Sequence, residues 1–234
     1  MEKAKYVKTV EGFAYYKLRD GKDLDRKLIR EALAESGARH LVFDFKAVAP
    51  KKGYVDIKMD KGLSLRLGYY AARKDVRVPA GFKPKAGLEL LKVQAKEFPA
   101  FKKLVDSTLE KHYRGPIKEH VSREFTRSSK KFSDTRLKDC DNAFLTWKGA
   151  RVGLLASIDW KLQGGKLGTL VGWAFIDPKL SPALRENAKH LMVKWLLAHG
   201  RGRFGSAEHA KSHWTQKFFS SIGFKPQRYI VEAM

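Results

Sequence analysis

The pattern of apolar and polar residues is clearest in the last third of the chain. Gly168–Pro178 is an apolar run of strand length that ends in Asp-Pro. The next stretch, Lys179–Gly200, carries a single apolar stripe at helical spacing. The members of this stripe are Ala188, Leu191, Met192, Trp195 and Leu196. Ser181 suits the N-cap of this helix, Pro182 its first position and Gly200 a left-handed stop.

The pattern continues to the end of the sequence. A short strand is predicted at Arg203–Ser206, a helix at Glu208–Ser221 and a strand within Ile222–Ala233. The predicted order in this third is therefore strand, helix, short strand, helix, strand.

The N-terminal part alternates between shorter elements. Residues 5–18 read as two β segments that meet at Glu11-Gly12, and Lys22–Ser36 reads as a helix that stops at Gly37. Further strands are predicted at Leu41–Phe45, Val55–Met59, Leu63–Leu67 and Val76–Val78. This part is therefore expected to be an α/β unit.

A stretch rich in proline, glycine and lysine, Pro79–Gly87, is the best candidate for a domain boundary. We predict a small α/β accessory domain over residues 1–85 and a second domain over residues 86–234. The elements predicted early in the second domain are a strand at Leu88–Val93, a helix at Pro99–Tyr113 and strands at Ala143–Trp147, Val152–Trp160 and Thr169–Ile176.

Composition narrows the classes of protein. The 234 residues are 43% hydrophobic and 12% aromatic, which is typical of folded rather than disordered chains. No apolar run approaches the roughly 18 residues that cross a bilayer, and no secretory leader is visible. The single cysteine, Cys140, excludes an internal disulfide and a cysteine-cluster metal site. A cytoplasmic protein without a membrane span is expected.

The net charge of +23 favours polyanionic partners, such as nucleic acid or an acidic protein. A solvated, lysine-rich surface is the alternative explanation. The best local candidate for a polyanion patch combines basic and aromatic residues, namely Arg123, Phe125, Arg127, Lys130, Lys131 and Phe132.

Three segments of the C-terminal third carry a resemblance to a known family. GWAFIDP, SPALR and KFFSSIGF stand in the order and nearly the spacing typical of the GCN5-related N-acetyltransferase (GNAT) superfamily. The resemblance covers roughly residues 86–234. It implies an α/β (α+β) fold with a mixed central sheet flanked by helices, and a basic acyltransferase, most simply an acetyltransferase.

The resemblance also implies a cofactor, acetyl-CoA or another acyl-CoA, lying between splayed strands near Trp173 and Phe204. The cofactor-binding residues that it implies are Phe175, Ile176, Ser181, Ala183, Leu184, Arg185 and Glu186. The usual glycines of the diphosphate loop are absent, and Pro182 removes one N–H donor. Arg185 is expected to compensate with a direct charge on phosphate.

The catalytic residues are the least defined part of the resemblance. The family's proton-donating tyrosine falls on Phe219, which has no hydroxyl, and the asparagine that often opens that helix falls on Ser212. The candidate bases or proton carriers are Asp159, Ser212 and His213, with Asp177 as a further candidate or as a simple turn residue. The pair His209 and His213 lacks the further ligands of a metal site, so no metal is expected.

Two functional hypotheses stay open. The first is an acyl-CoA-dependent N-acyltransferase that acts by direct transfer on an amine of an acidic or polyanionic acceptor, such as aminoacyl-tRNA or an acidic protein. The second is a catalytically inactive, acetyltransferase-like module that binds nucleic acid or another polyanion through its basic surface.

Overall fold

The computed structural model describes residues 3–47, 50, 54, 55, 57, 59–114, 141–161, 167–210 and 212–233. The chain forms two compact units. Within the described residues, unit 1 contains 3–71 and 206–233, and unit 2 contains 72–114 and 141–205. The C-terminal segment thus packs with the N-terminal one, whereas the predicted border at 85/86 falls inside unit 2. Whether residues 1–85 and 86–234 fold independently stays a prediction.

Ten strands and four α-helices lie in the described residues. The strands are β1 Ala4–Val10, β2 Phe13–Leu18, β3 His40–Asp44, β4 Leu63–Ala72, β5 Leu88–Lys92, β6 Ala143–Trp147, β7 Ala150–Lys161, β8 Leu167–Ile176, β9 Arg203–His209 and β10 Lys225–Ala233. The helices are α1 Arg26–Ser36, α2 Phe98–Arg114, α3 Pro182–His199 and α4 His213–Ser221.

Unit 1 contains a mixed sheet. Its strand order is β1-β2-β3-β10-β4. The pair β2–β3 is parallel, while β1–β2, β3–β10 and β10–β4 are antiparallel. This sheet and its helices confirm the predicted α+β class.

Helix α1 covers one face of the sheet in unit 1. Its buried residues are Leu28, Ile29 and Ala32, and the hydroxyl of Tyr16 on β2 donates to the carbonyl oxygen of Ala32 at 3.1 Å. Asp25 caps the start of the helix by accepting from the N–H of Leu28 at 2.8 Å. Gly37 adopts the predicted left-handed conformation, with φ of 59°.

Unit 2 is built on the antiparallel strands β5, β6, β7 and β8. Helix α2 packs on them, with Phe101 and Val105 in one buried cluster with Phe144, Leu154 and Ala156. Trp173 of β8 packs against this cluster and donates from Nε1 to Thr108 Oγ1 at 2.9 Å. The predicted helix at 99–113 and the four predicted strands of this part of the chain are confirmed, with shifts of at most two residues at their ends.

Several predicted elements are wrong. Strand β9 extends to His209 and α4 begins only at His213, so the predicted helix at Glu208–Ser221 is five residues too long at its start. No strand forms at 76–78, nor at the described residues of 55–59. At Val55 a distant side chain takes the place of a neighbouring strand, because the N–H of Val55 donates to Oε1 of Gln216 at 2.9 Å.

Gly200 ends α3, but not in the predicted left-handed conformation. Its φ is −72° and its ψ is 160°, which is extended backbone. The position requires glycine for another reason, since a Cβ there would lie 2.4 Å from the ring of Phe204 and 2.6 Å from the carbonyl oxygen of Leu196.

Candidate functional site

A β-bulge interrupts β8 at Gly172. Ala156 of β7 pairs with Trp173 while the next residue, Ser157, pairs with Val171, so Gly172 is the extra residue in the ladder. A bulge bends its strand and increases the local twist, and bulges are frequent beside active sites. Gly172 and Ala174 are exposed, so the bent part of β8 presents small residues to the surface.

The last two residues of β8, Phe175 and Ile176, pair with Leu154 and Gly153. A Cβ on Gly153 would lie only 2.3 Å from the carbonyl oxygen of Phe175, so this close approach requires glycine. The side chain of Phe175 packs against the buried cluster of unit 2. Of the predicted cofactor-binding residues, Phe175 therefore has a clear role in the core.

Asp177 organises the turn that follows β8. Its Oδ1 accepts from the N–H of Lys179 at 2.9 Å, and its carbonyl oxygen accepts from the N–H of Leu180 at 3.2 Å. Its own N–H donates to the carbonyl oxygen of Val152 at 2.8 Å. The turn role is thus the better description of Asp177, because its carboxylate is already engaged by the backbone.

The start of α3 has the predicted cap. Ser181 Oγ accepts from the N–H of Leu184 at 3.3 Å, and Pro182 is the first helical residue. Leu184 is buried in the core, whereas Ser181 and Ala183 are exposed. The N–H of Ala183 has no acceptor within the helix, since it belongs to the first turn. An exposed N–H and the positive end of the helix dipole are therefore available to an anion.

Arg185 is the most informative residue of this segment. Its Nε is buried and has no hydrogen-bond partner within the described residues. A buried donor without an acceptor costs about 1–3 kcal/mol, which a ligand acceptor would relieve. This orphaned donor, beside the exposed first turn of α3, fits an anionic group such as the diphosphate of acyl-CoA.

Glu186 has structural partners instead. Its carboxylate pairs with the ammonium of Lys189, a residue that is only 6% exposed, and it lies 3.4 Å from Nε2 of His190. Asn187 lies beside it and accepts at Oδ1 from the N–H of Lys85 at 2.9 Å. Glu186 therefore forms an ion pair with a buried lysine of its own helix, a structural role that the predicted role in cofactor binding does not explain.

Asp159 lies on β7 in unit 2, where it joins two segments. Its Oδ1 accepts from Thr169 Oγ1 at 3.2 Å, and its Oδ2 lies 3.8 Å from Nε of Arg201. The N–H of Arg201 in turn donates to Thr169 Oγ1 at 2.8 Å. These bonds tie the start of β8 to the residues that precede β9, while the predicted gap near Trp173 and Phe204 stays a prediction.

Ser212 and His213 lie at the start of α4 in unit 1. Ser212 Oγ is 2.7 Å from Thr215 Oγ1, and the ring of His213 stacks on Tyr54 at 4.2 Å between centroids. His209 is on β9, so the spacing of four residues to His213 is not a helical one. No group of three or more metal-ligating side chains occurs in the described residues. The catalytic roles of Asp159, Ser212 and His213 stay predictions.

Sequence reasoning missed Glu208, which lies near the end of β9 in unit 1. Its Oε1 accepts from Ser206 Oγ at 3.3 Å. Burial raises the pKa of Glu208 to about 7, and the bond from Ser206 offsets only part of that increase. A carboxyl group that titrates near neutral pH can accept and release protons efficiently. In the sequence, Ser206 and Glu208 alternate with other residues as the two polar positions of one strand face. This signal was missed because the helix was predicted to begin at Glu208.

Phe219, at the place of the family's tyrosine, belongs to the core of unit 1. It is 8% exposed and stacks on Tyr69 at 5.6 Å between ring centroids, and its ring lies 5.2 Å from that of Phe224.

The predicted basic patch at Arg123–Phe132 lies outside the described residues. In the part of the chain that the structure describes, none of the helices is long and apolar enough to cross a membrane.

Comparison with known proteins gives only distant likenesses. No protein-family model matches the sequence, and no curated protein matches it. The chain is similar to a solved tandem GNAT protein from the clavulanic acid biosynthesis pathway, at 14% identity and a TM-score of 0.47 over 94% of this chain and 75% of that one. The chain is also similar to a putative GNAT-family acetyltransferase from Novosphingobium aromaticivorans, at 14% identity and a TM-score of 0.46 over 82% of this chain and 71% of that one.

A third similar structure is the C-terminal domain of a putative lysylphosphatidylglycerol synthetase from Agrobacterium fabrum, at 13% identity and a TM-score of 0.42 over 97% of this chain and 80% of that one. Several GNAT proteins are thus among the solved structures to which this chain is similar. Because the identities and TM-scores are low, its activity has to be inferred from its own residues.

Proposed function

We propose that this protein is a cytoplasmic acyltransferase that moves an acyl group from acyl-CoA, most simply acetyl-CoA, to an amine of an acidic or polyanionic acceptor. The observation that carries the proposal is the orphaned, buried Nε of Arg185 in the first turns of α3. The bulge at Gly172 supports it, because it bends the strand that leads directly into this helix.

The residues of unit 2 would hold the anionic part of the donor. Arg185 would donate to phosphate oxygen, and the N–H of Ala183 would add a second donor at the positive end of α3. This arrangement relies on charge rather than on a glycine-rich loop. Acyl-CoA would supply a thioester, whose carbonyl carbon is open to attack by an amine.

For the proton acceptor we propose Asp159 of β7, the predicted candidate that lies in the same unit as Arg185. An amine attacks only in its neutral form, so a base has to take up a proton before or during the attack.

The test is a titration of the full-length protein with acetyl-CoA, followed by tryptophan fluorescence and by melting temperature. Ligand at 100 times its Kd should stabilise the fold by about 2.7 kcal/mol. Arg185→Gln should weaken binding, whereas Arg77→Gln, which removes the same charge from an exposed position in unit 2, should not. Unchanged fluorescence and melting temperature at millimolar acetyl-CoA would overturn the proposal.

A second candidate is the inactive polyanion-binding module. It is favoured by the turn before α3, where the N–H groups of Lys179 and Leu184 already donate to Asp177 and Ser181 and no glycine admits a phosphate. The same titration separates the two functions. The module would ignore acetyl-CoA but bind tRNA with a steep dependence on salt.

A further inference from the structure

One face of the first two strands combines lysines and aromatic rings. In the register of β1 and β2, Lys5 lies opposite Lys17, Lys8 opposite Tyr15 and Val10 opposite Phe13. Residues directly opposite each other share one face of a sheet. We call these six residues the β1–β2 lysine face. The buried residues Ala14, Tyr16 and Leu18 alternate with them and belong to the opposite face.

The positive charge of this face is not balanced. Lys5, Lys8 and Lys17 are all exposed, and none of them forms an ion pair with a carboxylate among the described residues. The nearest acid in register is Asp44, which pairs with Lys17 across β2 and β3. Its carboxylate already accepts from Nε and Nη2 of Arg228, at 2.6 and 3.0 Å.

The placement of two of these lysines is unfavourable for the isolated protein. Like charges directly opposite each other on antiparallel strands destabilise the pair, and Lys5 and Lys17 stand in that relation. A ligand that carries closely spaced negative charges would remove this repulsion. The opposed pair therefore favours an anionic partner over a merely solvated surface.

The aromatic rings of the β1–β2 lysine face indicate which class of anion would bind there. Tyr15 is half-buried, so its ring is held in place, and the ammonium of Lys8 lies 5.7 Å from its centroid. Phe13 is also half-buried and stacks on His40 at 4.5 Å with an angle of 18° between the rings. Fixed rings surrounded by lysines are what single-stranded nucleic acids bind, because bases stack on the rings while phosphates meet the charges.

We propose that the β1–β2 lysine face binds single-stranded nucleic acid. Lys5, Lys8 and Lys17 contact phosphates, and a base stacks against Tyr15. The site lies entirely in unit 1 and does not depend on acyl transfer. Duplex nucleic acid is a poorer partner, since its bases are already stacked and offer no free faces to the rings.

The test measures the fluorescence anisotropy of a labelled twelve-nucleotide oligouridylate with the full-length protein over a series of salt concentrations, without acyl donor. Replacing Lys5, Lys8 and Lys17 together by Gln should weaken binding and reduce the slope of log K against log salt by about 2, at roughly 0.7 per lost phosphate contact. The matched control replaces three exposed lysines of unit 2, Lys74, Lys96 and Lys103. It should leave the slope unchanged.

The ring is tested separately. Tyr15→Leu should weaken oligouridylate binding about 5- to 150-fold, whereas Tyr15→Phe keeps the ring and should bind like the unaltered protein. Circular dichroism spectra establish that each variant is folded. Three results would each overturn the proposal. They are equal affinity of the two triple-lysine variants for the oligouridylate, equal affinity of Tyr15→Leu and the unaltered protein, and tighter binding of duplex than of single strands. None of these results depends on whether acetyl-CoA binds.

Discussion

Tyr69 donates its hydroxyl proton to Oε1 of Gln216 at 2.8 Å, and both side chains are completely buried in unit 1. The same oxygen accepts from the N–H of Val55 at 2.9 Å, and Nε2 donates to the carbonyl oxygen of Ala210 at 2.6 Å. A single amide thus joins β4, the segment that precedes it, the end of β9 and helix α4. Buried polar groups of this kind stabilise a fold only while all their partners are satisfied.

Gln216→Leu should destabilise the protein by about 2–4 kcal/mol, because it leaves the Tyr69 hydroxyl, the Val55 N–H and the Ala210 carbonyl buried without their partner. Urea unfolding measures this loss. Tyr69→Phe should cost only about 1 kcal/mol, because it removes the hydroxyl itself and Oε1 of Gln216 still accepts from the N–H of Val55. In a double-mutant cycle the two changes should be less than additive. Additive losses would show that the hydrogen bond contributes nothing.

The sequence predicts the parts of this fold that depend on local pattern. The stripe on α3, the cap at Ser181 and the stop at Gly37 are all readable from neighbouring residues. Gln216 and Glu208 are different, because the first is defined by partners up to 161 residues away and the second by burial. Neither property has a local signature, so a glutamine and a glutamate near a helix start appear as ordinary surface residues.

In the candidate cofactor segment, too, local features can be predicted from the sequence and packing roles cannot. The resemblance predicts Ser181, Ala183 and Arg185 as cofactor-binding residues, and the structure places Ser181 at the N-cap of α3 and the other two in its first turn. Their binding role stays a prediction. Position could not reveal that Phe175 packs in the core or that Glu186 pairs with buried Lys189. These roles arise from packing between elements that are distant in sequence.

The stability of the protein should depend on pH through Glu208. Its pKa is raised in the folded state, from an ordinary 4.5 to about 7. The folded state therefore holds the proton more tightly, and its contribution is complete below pH 4.5 and lost as the pH rises through 7. A rise of the pKa from 4.5 to about 7 corresponds to at most about 3 kcal/mol of stability, and this loss is smaller because Glu208 is only half-buried and keeps contact with solvent.

Glu208→Gln isolates this effect. The variant should equal the unaltered protein near pH 4.5 and be more stable at pH 8, as measured by urea unfolding at each pH. Glu89→Gln, at an exposed position on β5, should show no such difference. A stability difference that is constant between pH 4.5 and 8 would mean that residue 208 does not titrate in this range.

Gly153→Ala should be strongly destabilising, because the new Cβ would lie 2.3 Å from the carbonyl oxygen of Phe175 and 3.1 Å from the Leu145 side chain. The backbone of β8 would have to move, and we expect a loss of about 3 kcal/mol or more, in the range of severe overpacking. Gly149→Ala is the matched control. Its Cβ would enter open space, and only the positive φ of 81° would be strained, at a cost of about 1 kcal/mol. Equal losses in thermal unfolding would contradict the close approach.

Arg185 and Glu186 are neighbours on α3, and their variants should fail in opposite ways. Glu186→Gln removes the carboxylate that pairs with the buried ammonium of Lys189, so it should lower the free energy of unfolding by about 1–3 kcal/mol. Binding of acetyl-CoA should be retained. Arg185→Gln removes a side chain whose Nε has no partner among the described residues, so stability should be unchanged or slightly increased while acetyl-CoA binding falls about tenfold or more. Urea unfolding and isothermal titration calorimetry on the same samples separate the two effects. If Arg185→Gln lost stability and Glu186→Gln lost only binding, the two roles would have to be exchanged, and the anion site at the start of α3 would be wrong.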